Sequence, residues 1–432
     1  METKLAYVRT FGCRANVSDG EKINGMLAQM GYGFTRNQDE ADLIIFNTCA
    51  VRENAETRVF GNVGALIHQK RRNPALIVAV CGCMVQQEHI KDRLYNTFPF
   101  VDLIFGTHVL HKLPELLSEV NAGKRVTDIT DTEVINEDLP IRRESDFRAD
   151  VPIMFGCDNY CSYCVVPYVR GRERSRKPSD VFNEVESLVK SGVKEIMLLG
   201  QNVNSYSYGF AALLKEIDKI DGEFRISYMT SHPKDLSKEL IDTIAESEKI
   251  SHHLHLPVQA GSDRVLELMN RKYTIAQYMG ILEYARLKIP SISITTDIIV
   301  GFPGENRADF DATLELIRKA RFDSAYTFIY SKREGTKAAQ MPDPISKEEK
   351  SAWFSEMLEV LDGISGTAYE RYVGKTLRVL CEGESRTGEC THSGKSREGV
   401  IVDFNSNEDI VGEFVDIKVN KALKWAVIGE KT

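Results

Sequence analysis

Short apolar runs alternate with amphipathic stretches along the first 120 residues of the chain. The runs have the length and composition of buried strands, and the stretches between them repeat their apolar positions every three to four residues, as helices do. Strands that alternate with helices indicate a doubly wound α/β domain on a parallel sheet. The predicted strands are Lys4–Arg9, Asp42–Phe46, Ala75–Val80 and Val101–Phe105.

Ser18 and Glu21 mark the start of the first predicted helix. They have the spacing of a capping box, in which two side chains at a helix start accept hydrogen bonds from each other's backbone N–H groups. We therefore predict a helix that begins at Ser18 and ends near Gly31.

A polar, acid-rich segment, residues 121–142, separates this N-terminal domain (residues 1–120) from a second alternating region, residues 143–373. The segment predicts a linker with room for a short hairpin. Six strand–helix units follow it, too few for a closed eight-stranded barrel, so we predict an α/β partial barrel that is open on one side. Its strands are Val151–Phe155, Lys194–Leu199, Phe224–Met229, His252–Leu256, Ser291–Val300 and Ser324–Ile329.

The last part of the chain, residues 374–432, has a different pattern. After a charged helix predicted from Ser346 to Tyr372, apolar and polar positions alternate between turn residues, which is typical of a small all-β barrel. Nine Lys and Arg against ten Asp and Glu leave this module close to neutral. Its predicted strands are Thr376–Cys381, Gly399–Phe404 and Glu413–Val419.

The composition of the 432 residues, 42% hydrophobic and 27% charged, is that of an ordinary globular protein. The opening METKLAYVRTFGC lacks the apolar run of a signal peptide, and no later run has membrane-spanning length. We therefore expect a cytoplasmic protein with no membrane partner. The net charge of −8 argues against broad coating of nucleic acid but allows a local basic groove.

Nine cysteines in such a compartment are more often metal ligands or buried fillers than disulfides. Three of them lie within eight consecutive positions of the segment GCDNYCSYCVVPYVRGRERSR. They form the motif triad, Cys157, Cys161 and Cys164. Three others each follow the end of a predicted strand and form the N-terminal triad, Cys13, Cys49 and Cys83. Because parallel strands bring their carboxyl ends to one edge of a sheet, we expect the N-terminal triad to converge.

The remaining cysteines suit a filler role. Cys81 lies inside a predicted strand. Cys381 and Cys390 lie in the last module, and the first two domains offer them no partner cysteine nearby. We therefore expect all three to act as small apolar side chains.

Each triad lacks a fourth cysteine. Structural zinc requires four ligands, whereas a 4Fe–4S cluster on three thiolates keeps one iron open. An open iron can bind a substrate. The two triads therefore predict chemistry at iron–sulfur clusters rather than structural metal sites.

The three-then-two spacing of the motif triad, with Tyr163 before its last cysteine, resembles the cluster motif of radical S-adenosylmethionine (SAM) enzymes. The order of the three domains resembles the methylthiotransferases of that superfamily, whose last module, called TRAM, binds RNA. NTCAVRENAE (residues 47–56) and LLGQNVNSY (residues 198–206) are most similar to the branch that acts on dimethylallyl-adenosine in tRNA.

This resemblance implies two 4Fe–4S clusters, one on the motif triad and an auxiliary one on the N-terminal triad, together with SAM. In the family, one SAM methylates a sulfur at the auxiliary cluster and another supplies the radical that activates C2 of N(6)-dimethylallyladenosine beside the anticodon. The implied partners are tRNA, an electron donor such as flavodoxin or ferredoxin, and a donor of sulfur or clusters.

Two stretches depart from the family pattern. The sequence has CRAN at residues 13–16, where the family has Cys-Gln-Met-Asn, and QAGS at residues 259–262, where it has Gln-Ser-Gly-Ser. The cysteine ligands are kept in both cases.

Several residues near the predicted barrel mouth are candidate contacts. GFPGE (residues 301–305) lacks the lysine of a nucleotide loop, and we expect its backbone to lie near SAM. The candidate SAM or substrate contacts are Tyr163, Gln201, Asn202, Ser231, Gln259 and Asp297. Apolar surface for a prenyl group is offered by Val165, Val166, Tyr168 and Tyr206.

Two groups of basic residues have competing interpretations. The alternating arginines after the motif triad form either a solvated loop or a phosphate-contacting edge; they are Arg170, Arg172, Arg174 and Arg176. His253 and His255 share one face of a predicted strand while His252 points away, which favours barrel-lining residues over a zinc site.

Two other functions remain open at this point. One is a methylthiotransferase acting on threonylcarbamoyl-adenosine in tRNA or on a ribosomal protein side chain. The other is a non-catalytic iron–sulfur protein that binds RNA or senses redox state, which would need neither a SAM-binding barrel nor two open clusters.

Overall fold

The computed structural model describes residues 3–51, 53–132, 135, 139–229 and 231–432. In its N-terminal part, strands alternate with helices as predicted. The strands are β1 (Leu5–Thr10), β2 (Gly33–Phe34), β3 (Leu43–Thr48), β4 (Ile77–Gly82), β5 (Leu103–Phe105) and β6 (Val126–Asp128). The helices are α1 (Arg14–Gln29), α2 (Glu53–Ala65), α3 (Ile67–Arg72), α4 (Glu88–Thr97) and α5 (Leu113–Asn121).

These strands form a parallel sheet with the order β2-β1-β3-β4-β5-β6. The four predicted strands are confirmed as β1, β3, β4 and β5. The segment predicted as a linker contains β6, which extends the sheet in parallel from β5 instead of forming a hairpin. Residues 133, 134 and 136–138 of that segment lie outside the described residues.

Helices cover both faces of the sheet, so its central strands are buried on both sides. Successive side chains of a strand point to opposite faces. Leu43 and Ile45 accordingly join one apolar cluster, and Ile44 and Phe46 join the other. Cys81 belongs to the first cluster, which confirms the prediction that it fills the core.

The predicted start of α1 was wrong. The helix begins at Arg14 with Cys13 in the N-cap position, so Ser18 lies inside it and is buried. The Glu21 carboxylate does not cap the helix; it accepts a hydrogen bond from the Glu144 backbone N–H at 3.3 Å. Glu21 therefore makes a tertiary contact and not the capping-box hydrogen bond that its spacing from Ser18 suggested.

The middle of the chain supplies eight further strands and their helices. The strands are β7 (Arg148–Pro152), β8 (Met154–Phe155), β9 (Arg174–Ser175), β10 (Glu195–Leu199), β11 (Arg225–Tyr228), β12 (His253–His255), β13 (Ser293–Val300) and β14 (Ser324–Ile329). The helices are α6 (Val166–Arg170), α7 (Pro178–Lys190), α8 (Phe210–Asp218), α9 (Lys238–Glu246), α10 (Asp263–Leu268), α11 (Ile275–Lys288), α12 (Arg307–Ala320) and α13 (Lys347–Ala368).

The predicted partial barrel is present in this region. Strands β7, β10 and β11 form one parallel sheet and β12, β13 and β14 another, and a parallel bridge between Ile226 and Ile250 joins them. The strands therefore follow one another in sequence order. The first predicted strand was wrong at its end, because β7 stops at Pro152 and β8 pairs antiparallel with β9.

The chain divides into two compact units. The first comprises the described residues up to Glu144 with Met154–Tyr160 and Cys164–Arg176, and therefore includes β8, α6 and β9. The second comprises Ser145–Ile153, Cys161–Tyr163 and Lys177–Thr432.

The C-terminal module is a closed barrel with the order β15-β16-β17-β19-β18, formed by β15 (Thr376–Glu384), β16 (His392–Ser396), β17 (Ile401–Asn405), β18 (Phe414–Ala422) and β19 (Val427–Lys431). The all-β prediction is confirmed, although β16 and β19 were missed because HSGKS and VIGEK lack a clear apolar alternation. Cys381 lies in the barrel core as predicted. Cys390 does not; it is half-buried between β15 and β16.

The helix before the barrel begins as predicted. Ser346 is the N-cap of α13, and its hydroxyl accepts a hydrogen bond from the Glu349 N–H at 3.1 Å. None of the described helices combines the length and apolar content needed to cross a lipid bilayer.

Candidate functional site

The N-terminal triad lies at one edge of the parallel sheet. Cys13, Cys49 and Cys83 come shortly after the carboxyl ends of β1, β3 and β4, which are neighbours in the sheet. Cys49 and Cys83 are buried, whereas Cys13 is exposed. This is the arrangement expected from the positions of the strands.

Asn16, in the first turn of α1, connects the three loops that carry these cysteines. It is fully buried, and its Nδ2 donates hydrogen bonds to the carbonyl oxygens of Phe11 at 2.9 Å and Thr48 at 2.8 Å. Its Oδ1 accepts from the thiols of Cys83 at 3.5 Å and Cys13 at 3.8 Å. One amide therefore bonds to all three loops.

Two glycines allow the cysteine loops to approach closely. Gly12 has φ of +115°, and a Cβ on it would lie 2.8 Å from the Cys49 Sγ. Gly82 has φ of +96°, and a Cβ there would lie 2.4 Å from the Thr48 carbonyl oxygen. Both the backbone conformation and the space exclude a larger residue. The glycine before Cys13 and the one before Cys83 are thus requirements of the site.

Arg170, the last residue of α6, reaches this triad. Its Nε donates to the Cys83 Sγ at 2.9 Å, and its Nη2 lies 2.8 Å from the Asn16 Oδ1 and 2.8 Å from the Asp19 carboxylate. Arg170 is buried, so for this residue neither the solvated-loop nor the phosphate-edge interpretation is correct. A buried cation beside a cysteine sulfur favours a thiolate there.

The rest of the arginine run has mixed surroundings. Arg172 is exposed and pairs with Asp158 at 2.8 Å. Arg174 donates to the carbonyl oxygen of Thr132 at 2.6 Å, and Arg176 is buried.

Burial sets the protonation of the Cys83 thiol. It raises the pKa of Cys83 to about 12, although Arg170 acts to lower it, and Asp19, Cys13 and Cys49 raise it further. Without a metal, Cys83 is therefore protonated at neutral pH. Metals bind the thiolate and release its proton.

The donor set of the N-terminal triad fits an iron–sulfur cluster. Among the described residues, no three Cys, His, Asp or Glu side chains are arranged to hold a single metal ion. A cluster differs because it takes one thiolate on each of several irons. Three cysteines around a common amide, with a buried guanidinium to balance negative charge, suit such a ligand.

The motif triad divides between the two compact units. Cys157 and Cys164, both half-buried, belong to the first unit, where the Cys157 N–H donates to the Gly171 carbonyl oxygen at 3.2 Å. Cys161 is buried and belongs to the second unit. There the Arg271 Nη1 lies 3.6 Å from the Cys161 Sγ and 3.5 Å from the Tyr163 hydroxyl.

Arg271 is a second buried arginine beside a cysteine sulfur. Burial alone would lower its pKa, but Tyr163, Tyr273 and Cys161 raise it above the usual value. Arg271 therefore stays charged. It places a fixed cation next to Cys161, as Arg170 does next to Cys83.

The candidate SAM contacts differ in how many of their hydrogen-bonding groups already have partners within the protein. Asn202 Nδ2 donates to Asp235 at 2.6 Å, and its Oδ1 accepts from the His232 N–H at 3.0 Å. Ser231 donates to Asn204 at 3.3 Å. These two residues shape the strand ends through bonds within the protein.

Gln201, Gln259 and Asp297 differ in the contacts that the protein already makes with them. The Gln201 Oε1 is buried and has no hydrogen-bond partner among the described residues. Gln259 has φ of +73°, and its N–H donates to the Asp297 carbonyl oxygen at 2.8 Å. The Asp297 carboxylate lies 3.6 Å from the His255 Nε2.

The two histidines of β12 both contact the neighbouring strand β13. The His253 Nε2 and the His255 Nδ1 lie 2.9 and 3.0 Å from the same Thr295 hydroxyl, which confirms that they share a face. The His252 ring instead lies 3.4 Å from Ser291. Burial lowers the pKa of His253 to about 4, so it is neutral at pH 7.

The GFPGE loop is held by hydrogen bonds from its backbone to its own glutamate, Glu305. The Glu305 carboxylate accepts from the N–H groups of Gly301 at 2.6 Å and Phe302 at 3.1 Å, and burial raises its pKa to about 7. Those two backbone donors are therefore unavailable to a phosphate.

The apolar residues suggested for a prenyl group are not equivalent. Val165 and Tyr206 are buried in the protein, so they were wrong candidates for a substrate surface. Tyr168 is 52% exposed, and Val166 is half-buried.

Sequence reasoning missed the roles of the polar residues around the sulfurs. Asn16 stands three residues after Cys13, and Arg170 six residues after Cys164, so both could have been found as polar residues within motif distance of a cysteine. Arg271 lies 107 residues after Cys164 and gave no such signal.

Three family models match the chain in succession. They are the uncharacterized protein family UPF0004 over residues 5–106, the radical SAM superfamily over residues 151–317, and the TRAM domain over residues 370–432.

The chain is similar over its full length to curated bacterial proteins. It is 48% identical to a tRNA-2-methylthio-N(6)-dimethylallyladenosine synthase of Clostridium beijerinckii over 99% of this chain and 96% of that protein. It is also 48% identical to the synthase of Acetivibrio thermocellus, over 99% of this chain and 90% of that protein.

Solved structures share the fold at low identity. The radical SAM methyltransferase TsrM from Kitasatospora setae, bound to tryptophan and a SAM analogue, matches with a TM-score of 0.60 and 15% identity over 78% of this chain and 75% of that chain. The cobalamin-dependent radical SAM enzyme OxsB matches with a TM-score of 0.52 and 12% identity over 84% of this chain and 56% of that chain.

Proposed function

Because the chain belongs to the tRNA-2-methylthio-N(6)-dimethylallyladenosine synthase family of radical SAM enzymes, we propose that it inserts a methylthio group at C2 of N(6)-dimethylallyladenosine beside the tRNA anticodon. It is a transferase that uses SAM and two 4Fe–4S clusters. The full-length similarity to the named synthases is the observation that carries this proposal.

The reaction explains why two cysteine triads are needed. The C2–H of adenine is neither acidic nor electrophilic, so general acid–base or nucleophilic groups cannot activate it. The bound clusters and SAM supply radical activation of C2 and a sulfur that can be methylated and transferred.

The residues of the chain have separate tasks. The motif triad, Cys157, Cys161 and Cys164, binds the SAM-cleaving cluster, and Arg271 places a positive charge beside Cys161. The N-terminal triad, Cys13, Cys49 and Cys83, binds the auxiliary cluster, with Asn16 bonded to its loops.

The SAM and substrate contacts are proposed at the strand ends of the barrel. Gln201 is the strongest of them because its buried amide oxygen lacks a partner among the described residues. Asn202 and Ser231 act by holding neighbouring loops in place. The other proposed contacts are Tyr163, Gln259 and Asp297.

The reaction also requires partners. Reductive cleavage of SAM consumes an electron, for which a flavodoxin or ferredoxin is the expected donor. Replacement of the transferred sulfur requires a sulfur or cluster donor. Since its tRNA substrate and reducing partners are found there, we place the protein in the cytoplasm.

Mass spectrometry of tRNA nucleosides tests the proposed function. In cells that lack this protein, 2-methylthio-N(6)-dimethylallyladenosine should disappear and N(6)-dimethylallyladenosine should accumulate in its place. Re-expression of the intact chain should restore the methylthio nucleoside. Loss of a methylthiolated threonylcarbamoyl nucleoside, or of a modified ribosomal protein side chain, would instead identify one of the alternative substrates.

The TRAM barrel gives a prediction about tRNA affinity. Lys418 is exposed on it, and half-buried Lys395 lies 3.9 Å from the Glu382 carboxylate, a contact that a phosphate would have to replace. Arg397 donates to the carbonyl oxygens of Ser247 and Ile250 and is unavailable. Because the module is close to neutral, single cations should matter. We expect Lys395→Gln with Lys418→Gln to weaken tRNA binding and to reduce the slope of log K against log salt by about 2, near 1 for each lost phosphate contact.

Filter binding at several salt concentrations measures this slope. Lys219→Gln is the matched control, since that exposed lysine lies outside the TRAM barrel and pairs with Glu216. SAM cleavage should continue in all variants, including a chain truncated after Gly374. Unchanged tRNA affinity in the truncated chain would disprove an RNA-binding role for the module.

A further inference from the structure

Arg170 lies in the segment that follows the motif triad, but its side chain contacts the N-terminal triad, which is the auxiliary site. It ends α6, which begins two residues after Cys164, and it belongs to the first compact unit together with the N-terminal triad. The helix is anchored there by apolar contacts, because Val165 and Val169 form a cluster with Ala50 and Cys83. Packing therefore holds the helix that carries Arg170 against the Cys83 loop.

The guanidinium contacts three groups of the site at once. Nε donates to the Cys83 sulfur at 2.9 Å, while Nη2 lies 2.8 Å from both the Asn16 Oδ1 and the Asp19 carboxylate. Arg170 is 7% exposed and the side chain of Asp19 is 13% exposed, so water competes weakly for these bonds. A planar fork with several donors can make all of these contacts, whereas a lysine ammonium acts as a single point charge.

A purely structural ion pair between Arg170 and Asp19 is the simplest alternative. Such a pair would use the Nη2 contact alone and would not require Nε to face a sulfur. The observed donor on Cys83 remains useful once the thiol loses its proton, because a thiolate can only accept hydrogen bonds. The thiol contacts from Cys83 and Cys13 to the Asn16 Oδ1 would then be lost, and Arg170 would keep that oxygen satisfied.

We propose that Arg170 is a positioning residue of the auxiliary site, which orients the Cys83 sulfur as a ligand and stabilises its negative charge. The inference rests on the proposed function, since it assumes that the N-terminal triad holds a cluster. Groups that orient ligands typically change metal affinity 10- to 100-fold. Hydrogen bonds and charge at the cluster sulfurs also tune reduction potential.

The test uses the full-length chain with Cys157, Cys161 and Cys164 replaced by alanine, so that only the auxiliary site can hold a cluster. Arg170→Gln and Arg170→Lys are introduced into this background. Arg172→Gln is the matched control, because Arg172 lies two residues away but is exposed and pairs with Asp158. After anaerobic reconstitution, the readouts are the chelator concentration that removes half of the iron and the midpoint potential of the remaining cluster.

We expect Arg170→Gln to lose iron at a chelator concentration about 10- to 100-fold lower than the parent. Arg170→Lys keeps a positive charge without the fork, so it should retain more iron than Arg170→Gln but show a lower midpoint potential than the parent. Arg172→Gln should match the parent in both readouts.

Equal iron retention and equal potentials in the parent and both Arg170 variants would overturn the inference and leave the proposed function intact. One other result would contradict the proposed function as well as the inference. If the parent with the motif triad removed bound no iron, the assignment of the N-terminal triad itself would be wrong.

Discussion

Replacement of Cys157, Cys161 and Cys164 by alanine should abolish reductive cleavage of SAM while the N-terminal site keeps its cluster. The physical reason is that none of these three cysteines belongs to the apolar clusters around the N-terminal triad. The N-terminal triad lies on strands whose apolar cores are complete without the motif loop. Anaerobic reconstitution, iron analysis and measurement of 5′-deoxyadenosine after reduction with dithionite check this expectation.

The converse replacement separates the two activities. With alanine at Cys13, Cys49 and Cys83, 5′-deoxyadenosine should still form, but sulfur insertion into tRNA should fall to background. Cys81→Ala is the matched control, because that cysteine lies two residues before Cys83 but packs in the hydrophobic core. Loss of the auxiliary cluster in the Cys81 variant would show that the ligands were assigned incorrectly.

The second large effect concerns the substrate. A dimethylallyl group adds five apolar carbons to the adenine, and at about 0.8 kcal/mol per buried methylene they would contribute roughly 3–4 kcal/mol if fully enclosed. Each ~1.4 kcal/mol corresponds to a factor of ten, so we expect a preference of hundreds-fold for prenylated over unmodified tRNA. The base must first leave the stack of the anticodon loop, as in other base-modifying enzymes.

Turnover measured side by side on three tRNAs tests this preference. They carry the prenyl group, the threonylcarbamoyl group or neither, and are otherwise identical. A threonylcarbamoyl substrate would need cationic or hydrogen-bonding groups for its carboxylate, so it should also react poorly. Equal or faster turnover of either non-prenylated tRNA would contradict the substrate assignment without affecting the radical methylthiotransferase class.

Much of the fold could be predicted because strand patterns are local. The strands Leu43–Thr48 and Ile77–Gly82 are buried along their whole length and begin with continuous apolar runs, LIIF and IVAVC, as strands covered on both faces do. Once these strands are parallel and adjacent, the convergence of the cysteines after them follows from geometry alone. Strand positions thus located the N-terminal triad without any knowledge of side-chain contacts.

The errors come from residues whose role is set by distant partners. Glu21 is spaced for a capping box, yet its carboxylate bonds to a backbone group 123 residues away. Short edge strands such as Val126–Asp128 pair on one side only and carry too little apolar pattern to be distinguished from a linker. Such elements are chosen by tertiary pairing, which a local pattern does not encode.

The surroundings of the sulfurs could not be predicted for the same reason. Arg170 lies in an alternating run of arginines that suggests a surface, and only its partners distinguish it from exposed Arg172. Arg271 and Cys161 are 110 residues apart in the sequence. Long side chains can reach across elements, so their targets depend on the packed structure.

The bonds that Asn16 makes to Phe11 and Thr48 connect the cysteine loops through protein atoms alone. Small zinc domains differ, since metal binding supplies their folding free energy and the empty chain unfolds. Here the sheet beneath the loops has its own apolar cores on both faces. We therefore expect that a cluster lost to oxygen, or consumed as a sulfur source, can be rebuilt on a chain that is still folded, so that repair costs the cell iron and sulfide but no new protein.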